Sequence, residues 1–243
     1  MEKIETNKKI LIVIPCYNEA ENVANLYAEI KKVKISNCEI VPLFINDCSK
    51  DNTLNVLKQM GAKFLSNPIN LNIGGTVQTG FIYAYKKNFD AAVQMDGDGQ
   101  HPPSELHKLI EPLLNGEADV IIGSRFIDKE GFQSSALRRF GINFFSNLNK
   151  MLVGVTIKDS TSGYRIYNRK AIAELIKYYP DEYPEPEAIV YLTNKKMKIK
   201  EVPVLMNERT GGVSSIRSFG TIYYMIKVSL NSIFLNLKMK SNG

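Results

Sequence analysis

Val93-Gln94-Met95-Asp96-Gly97-Asp98-Gly99-Gln100-His101 ends an apolar run in two aspartates one residue apart, with glycine between and after them. Carboxylates at i and i+2 on an extended turn can converge on one hard cation. Mg²⁺ and Mn²⁺ take oxygen ligands and usually reach proteins through one or two carboxylates plus substrate phosphates. The glycines remove side chains where a diphosphate would approach the backbone. The stretch reads as a metal–diphosphate site at the end of a sheet strand. Asp-Gly pairs also build plain surface turns, so the flanking sequence has to decide.

Outward from this stretch, apolar segments alternate with amphipathic ones. Lys9–Pro15, Glu39–Asn46, Ala62–Ser66, Ala91–Met95 and Asp119–Gly123 read as strands. Helices are expected from about Asn18 to Val33, from Thr53 to Met60, over Val77, Phe81, Ala84 and Tyr85, and from Ser104 to Leu114. This alternation predicts an α/β fold, a mostly parallel central sheet flanked by helices. Ligands of such sheets bind beyond the carboxyl ends of the strands. Polar clusters fall at those ends: Tyr17/Asn18/Glu19, Asp47/Ser49/Asp51, Asp96/Asp98/Gln100 and Ser124/Arg125. Four clusters on one expected edge weigh more than any single motif.

The second half is less regular. Ser135–Val153 reads as a helix with Phe140, Phe144, Leu148 and Leu152 at four-residue spacing, and 159–165 as a loop. A helix from about Arg169 to Tyr178 follows. Another, led by Tyr183-Pro184-Glu185-Pro186-Glu187, stops at Asn194-Lys195-Lys196. Ile199–Met206 reads as a strand and Arg209-Thr210-Gly211-Gly212 as a loop.

Composition narrows the function classes. The chain has 243 residues, 44% hydrophobic and 23% charged, ordinary values for a soluble globular protein. No charged segment followed by an apolar stretch opens it, so a cytoplasmic location is expected. Three cysteines without metal-ligand spacing read as reduced thiols. With His101 and His107 as the only histidines, a histidine-rich metal site or a Ser-His-Asp triad has few ways to be built. The net charge of +6 is concentrated at the carboxyl end, where nine lysines and arginines from Lys195 to Lys240 face only Glu201 and Glu208. Such an end favours an anionic membrane surface; no nucleic-acid-binding motif accompanies it.

Ile222, Met225, Ile226, Leu230, Ile233, Phe234 and Leu237 fall on one helical face, interrupted by Lys227, Asn231, Asn236 and Lys238. The stretch falls short of about twenty uninterrupted apolar residues, so it reads as an interfacial amphipathic helix rather than a transmembrane one. Packing on the domain or an oligomer contact is the alternative. The expected organisation is a catalytic domain over 1–216 and a basic amphipathic tail over 217–243, peripheral to the cytoplasmic membrane face. Oligomeric state is not legible.

Taken together, Pro15-Cys16-Tyr17-Asn18-Glu19, residues 46–53 (Asn-Asp-Cys-Ser-Lys-Asp-Asn-Thr), residues 96–103 (Asp-Gly-Asp-Gly-Gln-His-Pro-Pro), Gly123-Ser124-Arg125-Phe126 and Ser162-Gly163-Tyr164-Arg165 carry a resemblance. In order and spacing they resemble the family 2 glycosyltransferases, particularly the polyprenyl-phosphate branch that includes dolichyl-phosphate mannosyltransferase. The likeness runs from about Lys9 to Ser215. It implies a GT-A fold and transfer of a sugar, with inversion, from a nucleotide diphosphate donor. By that resemblance Pro15, Tyr17, Glu19, Ile45 and Asp47 line the nucleoside pocket. Asp96, Gly97 and Asp98 hold the metal–diphosphate, with the Gln100 amide oxygen as a further ligand to Mg²⁺ or Mn²⁺. Arg125 and Arg209 are implied as diphosphate or acceptor-phosphate contacts, for which a planar guanidinium suits two oxygens at once.

The expected acceptor is a polyprenyl phosphate, whose oxygen is already ionised. If it were instead the hydroxyl of a lipid-linked saccharide in surface polysaccharide assembly, a carboxylate would have to take a proton. Glu187, with Glu185 second, lies where related hydroxyl-directed enzymes place that base. The sequence departs from the family pattern at Asn46, where many relatives carry a second aspartate, and at Ser215, in place of a phosphate-binding lysine. No transmembrane hairpin follows in this sequence, so membrane contact is expected to rest on the tail. A nucleotidyltransferase would share the metal aspartate, but its glycine-rich basic loop is missing after the first strand.

Overall fold

The computed structural model describes residues 7–128, 130–131, 136–208 and 218–241. Seven strands form one sheet: β1 (Lys8–Cys16), β2 (Cys38–Asn46), β3 (Phe64–Ser66), β4 (Ala91–Gln94), β5 (Val120–Ser124), β6 (Arg165–Asn168) and β7 (Ile199–Pro203). Their spatial order is β3-β2-β1-β4-β6-β5-β7. All pairings are parallel except those of β6, which runs antiparallel between β4 and β5. The α/β expectation holds. The sequence reading passed over β6, because four residues directly after a Ser-Gly-Tyr loop carry too little periodicity to register.

The helices are α1 (Val23–Lys32), α2 (Thr53–Gln59), α3 (Asn72–Lys86), α4 (Leu106–Leu114), α5 (Ala136–Val153), α6 (Arg169–Leu175), α7 (Pro184–Asn194) and α8 (Ser218–Ser241). Strand alternation sorts the core into two layers. Ile10, Ile12 and Ile14 of β1 pack with Leu26 and Ile30 of α1 and Leu109 and Ile110 of α4. Leu11 and Val13 pack on the other face with Val77 and Phe81 of α3, Ile172 of α6 and Ile189 of α7.

Two elements are shorter than their sequence pattern. Helix α1 begins at Val23 rather than near Asn18, since Asn18 is held at φ 58° with its side chain accepting the Lys50 and Asp51 N–H groups. Strand β7 ends at Pro203, and its last bond to β5 runs from the next residue, Val204 N–H to Ser124 O at 3.1 Å. Two glycines seat α3. A Cβ on Gly80 would lie 2.2 Å from a Val13 methyl, so the helix rests directly on β1. A Cβ on Gly74 would lie 1.8 Å from the Pro180 carbonyl oxygen, and the Gly74 N–H donates to Asp181 O at 2.9 Å.

Candidate active site

Three loops leave the carboxyl ends of β1, β2 and β4 side by side, and the first two are tied together by hydrogen bonds. The Asn18 N–H donates to Ser49 Oγ, Glu19 N–H to Thr53 Oγ1 and Ala20 N–H to Asp51 Oδ2. Asp51 in turn accepts from the Thr53 N–H and hydroxyl, bonds that outweigh burial and hold its carboxyl below the usual range. Asp47 is buried, and its Oδ1 accepts from Asn67 Nδ2 at 2.9 Å and the Leu71 N–H at 2.8 Å. Asn46, the departure from the family pattern, uses its amide internally: Nδ2 donates to Ser66 Oγ and Oδ1 accepts the Ser49 N–H. Tyr17 is exposed beside this frame, whereas Glu19 is buried and accepts from Asn22 Nδ2.

The aspartate loop begins where the β4 ladder ends. Asp96, Gln100, His101, Arg125, Thr161, Ser162, Gly163 and Met206 line one pocket. Asp98 does not line it; this residue is 6% exposed and its Oδ1 accepts the Gln100 N–H at 3.1 Å. Gly97 lies against the β1 end, where a Cβ would come 2.9 Å from Pro15 O. Gly163 faces the other side, where a Cβ would lie 3.3 and 3.4 Å from the two Asp96 carboxylate oxygens. His101 is buried, which pushes its imidazole down to about 4. Its Nδ1 accepts the Asp96 N–H at 3.0 Å, and its ring stacks on Tyr164 with centroids 4.7 Å apart.

Four expected site residues are placed differently or lie elsewhere. Ile45 is fully buried in the layer under α3 and presents no surface to a nucleoside, because inward-facing positions of a central strand belong to the core. Arg125, 4% exposed, spends its guanidinium on Asp159: Nε and Nη2 each donate to a carboxylate oxygen at 2.7 Å. It thus borders the pocket as half of a buried ion pair rather than as an open phosphate clamp. Glu187, 1% exposed, turns away from the strand ends; its carboxylate accepts from the Tyr178 hydroxyl, and burial raises it against the opposing pull of Tyr178 and Asn231. Arg209 lies outside the described residues.

Of the two α7 carboxylates the sequence offers, Glu185 rather than Glu187 lies beside the end of β4. Residues two apart on a helix point about 200° from each other, so one of the pair had to face the sheet. That one is Glu185: its Oε1 accepts from Gln94 Nε2 at 3.4 Å, while its carbonyl accepts Arg165 Nη1 at 2.8 Å. Burial raises its carboxyl, Arg165 lowers it and the Asp96 charge raises it again. Asp159 was read only as part of a loop, since nothing in a single sequence links it to Arg125 at 34 residues' separation.

Comparison with known proteins identifies the arrangement. Residues 11–176 match glycosyl transferase family 2. The chain belongs to that family. It is 29% identical over 218 residues to the UDP-N-acetylglucosamine–dolichyl-phosphate N-acetylglucosaminyltransferase of Methanococcus voltae, covering 82% of this chain and 85% of that protein. It is 26% identical over 239 residues to the polyprenol monophosphomannose synthase of Mycolicibacterium smegmatis, covering 93% and 88%. Among solved structures, glucosyl-3-phosphoglycerate synthase of Mycobacterium tuberculosis, bound to Mn²⁺, UDP and glucosyl-3-phosphoglycerate, superposes with a TM-score of 0.69 at 17% identity. The match covers 97% of this chain and 81% of that one, and establishes a GT-A-like fold.

In this family 2 glycosyltransferase the Asp96 carboxylate and the Gln100 amide line the pocket, with the buried Asp98 carboxylate next to them in the loop, oxygen donors of the kind Mg²⁺ and Mn²⁺ take. Among the described residues no group of three His, Cys, Asp or Glu side chains forms a closed cage. An ion here would need further oxygens, which a diphosphate supplies. The absent side chain at Gly163 leaves one approach to the Asp96 carboxylate open, and the donor set fits the group.

Proposed function

We propose that the protein transfers a sugar, with inversion, from a nucleoside diphosphate to a polyprenyl phosphate at the cytoplasmic membrane face. The observation that carries the reading is the convergence of the Asp47 frame and the Asp96 pocket on one sheet edge, three strands contributing. Asp47, its Oδ1 fixed by Asn67 and Leu71, presents a pre-oriented carboxylate to a base N–H. Asp96, Asp98 and Gln100 would hold Mg²⁺ or Mn²⁺, which neutralises charge on the departing diphosphate. Arg209 is proposed as a phosphate contact, and the Arg125–Asp159 pair as the wall against which the diphosphate is set. A lipid phosphate is already ionised and calls for no base, consistent with a Glu187 that faces away from the pocket.

The tail supports membrane association. Tyr224, Val228, Ser232 and Asn236 of α8 face inward, with Asn236 bonded to Asn194 of α7 and to the Leu152 carbonyl of α5. Tyr223, Ile226, Leu230, Phe234 and Leu237 face out, Phe234 being 66% exposed, and Phe140 of α5 is 65% exposed. An outward apolar stripe this long on an ordered helix matches an interfacial role. No described helix is long and apolar enough to cross a membrane.

The test is a transfer assay in which undecaprenyl phosphate and a panel of nucleotide sugars are supplied with Mn²⁺. A lipid-phosphate sugar as product is expected. A product formed only on a saccharide hydroxyl would replace this reading with the polysaccharide alternative, for which Glu185 rather than Glu187 is the carboxylate in reach.

A further inference from the structure

His101 makes contacts that the reaction scheme above leaves unused. The last strand-type bond of β4 is the Met95 N–H to Val13 O at 3.0 Å. The next N–H along the chain, that of Asp96, is taken by His101 Nδ1 at 3.0 Å, five residues later. The loop returns through Gly99 at φ 80° and through the Asp98 carboxylate, which caps the Gln100 N–H. The imidazole cannot turn. It lies within 8° of parallel to the Tyr164 ring, and the Tyr164 hydroxyl donates to the carbonyl of neighbouring Pro102 at 3.0 Å.

Because Nδ1 accepts, the ring proton resides on Nε2. Nε2 lies 3.8 Å from Asp96 Oδ2, just outside hydrogen-bonding distance. One ring therefore addresses the same residue twice, at its main chain and at its carboxylate. Carboxylates that bind metals are themselves hydrogen-bonded, and loss of such partners costs metal affinity.

We propose that His101 is a positioning residue for Asp96, clamping its backbone through Nδ1 and steering its carboxylate through Nε2–H so that one oxygen stays directed at the ion. The inference rests on the metal–diphosphate reading of Asp96. The Nδ1 hydrogen bond and the neighbouring Nε2–H act on a group that must hold still while the diphosphate arrives. A residue that merely fills the core would need only the stacked ring.

The test separates the two contacts with three variants and measures Mn²⁺ affinity in the presence of UDP by electron paramagnetic resonance. His101→Phe keeps the stack and loses both the Nδ1 hydrogen bond and the Nε2–H beside the carboxylate. His101→Asn places an acceptor near Nδ1, and His101→Gln a donor near Nε2. Wild type is expected to bind, His101→Phe to bind about tenfold or more weakly, and each amide to recover part of the loss. In the wild-type protein without metal, nitrogen chemical shifts should report a protonated Nε2 and an unprotonated Nδ1. Unchanged Mn²⁺ affinity in a folded His101→Phe, or a proton on Nδ1, overturns the proposal. Absence of Mn²⁺ binding by wild type, with the Nε2–H tautomer intact, would instead overturn the metal reading beneath it. If His101→Phe does not fold, the tautomer and the Asn and Gln variants decide.

Discussion

The strand-end rim and the α5–α7–α8 junction distribute polarity in opposite ways. At the rim, buried polar groups such as Asp47, Asn46 and Thr53 are hydrogen-bonded to neighbouring loops. At the helical junction Asn149 and Ser232 are fully buried with no partner among the described residues for their side-chain polar atoms, while phenylalanine and leucine side chains point outward. Unpaired buried polar groups cost stability and satisfied ones rigidify. The rim is thus built for fixed geometry. The junction is built for a surface that needs apolar atoms outside.

The sharpest break in this comparison comes from the rim. Asp96→Ala should lower transfer by about a thousandfold or more, the scale of lost electrostatic stabilisation at a transition state, and excess EDTA should do the same to wild type. Undiminished turnover in EDTA counts against the metal role. Next, Arg125→Ala should cost about 3–5 kcal/mol of folding stability, because it leaves Asp159 buried without its charge partner; thermal unfolding reads this directly. An unchanged melting temperature with lost transfer would return Arg125 to the role of phosphate ligand.

A smaller effect tests the α7 glutamates. Glu187→Gln should leave transfer within about threefold of wild type, whereas removing a general base costs about 10²–10⁴-fold. Its signature is in stability. Burial raises the Glu187 carboxyl in the folded state, so that group's contribution is complete at low pH and is lost as pH rises through the raised value. The variant should therefore gain melting temperature relative to wild type as pH increases, and a variant that instead loses melting temperature relative to wild type would refute the assignment. The mildest change is at the junction. Leu230→Ser with Phe234→Ser should weaken flotation on anionic vesicles while the melting temperature holds; equal flotation would reject the outward stripe as a membrane contact.

Much of the rim was legible because each strand there is an uninterrupted apolar run followed at once by polar residues, a local signal. Most of the failures are non-local. Strand β6 exists because β4 and β5 each lend it an edge, not because Arg165-Ile166-Tyr167-Asn168 insists on it. Arg125 was read without Asp159, and the α7 glutamates without the phase of their helix against Gln94. Ile45 was assigned to the nucleoside pocket by likeness, yet strand alternation already turned it toward α3. The tail was read as one apolar face, but Val228 and Leu230 show two, one against the protein and one away from it.

Gly74 and Gly80 give α3 the character of a gauge bar. At one end the helix meets the 180–181 main chain with no side chain between them, and at the middle its bare Gly80 backbone meets the Val13 side chain of β1. The spacing from the Asp47 carboxylate, which grips Leu71 at the head of α3, to the segment leading into α7 is set by main chain alone. Drift elsewhere in the sequence can repaint both ends of that interval without altering its length.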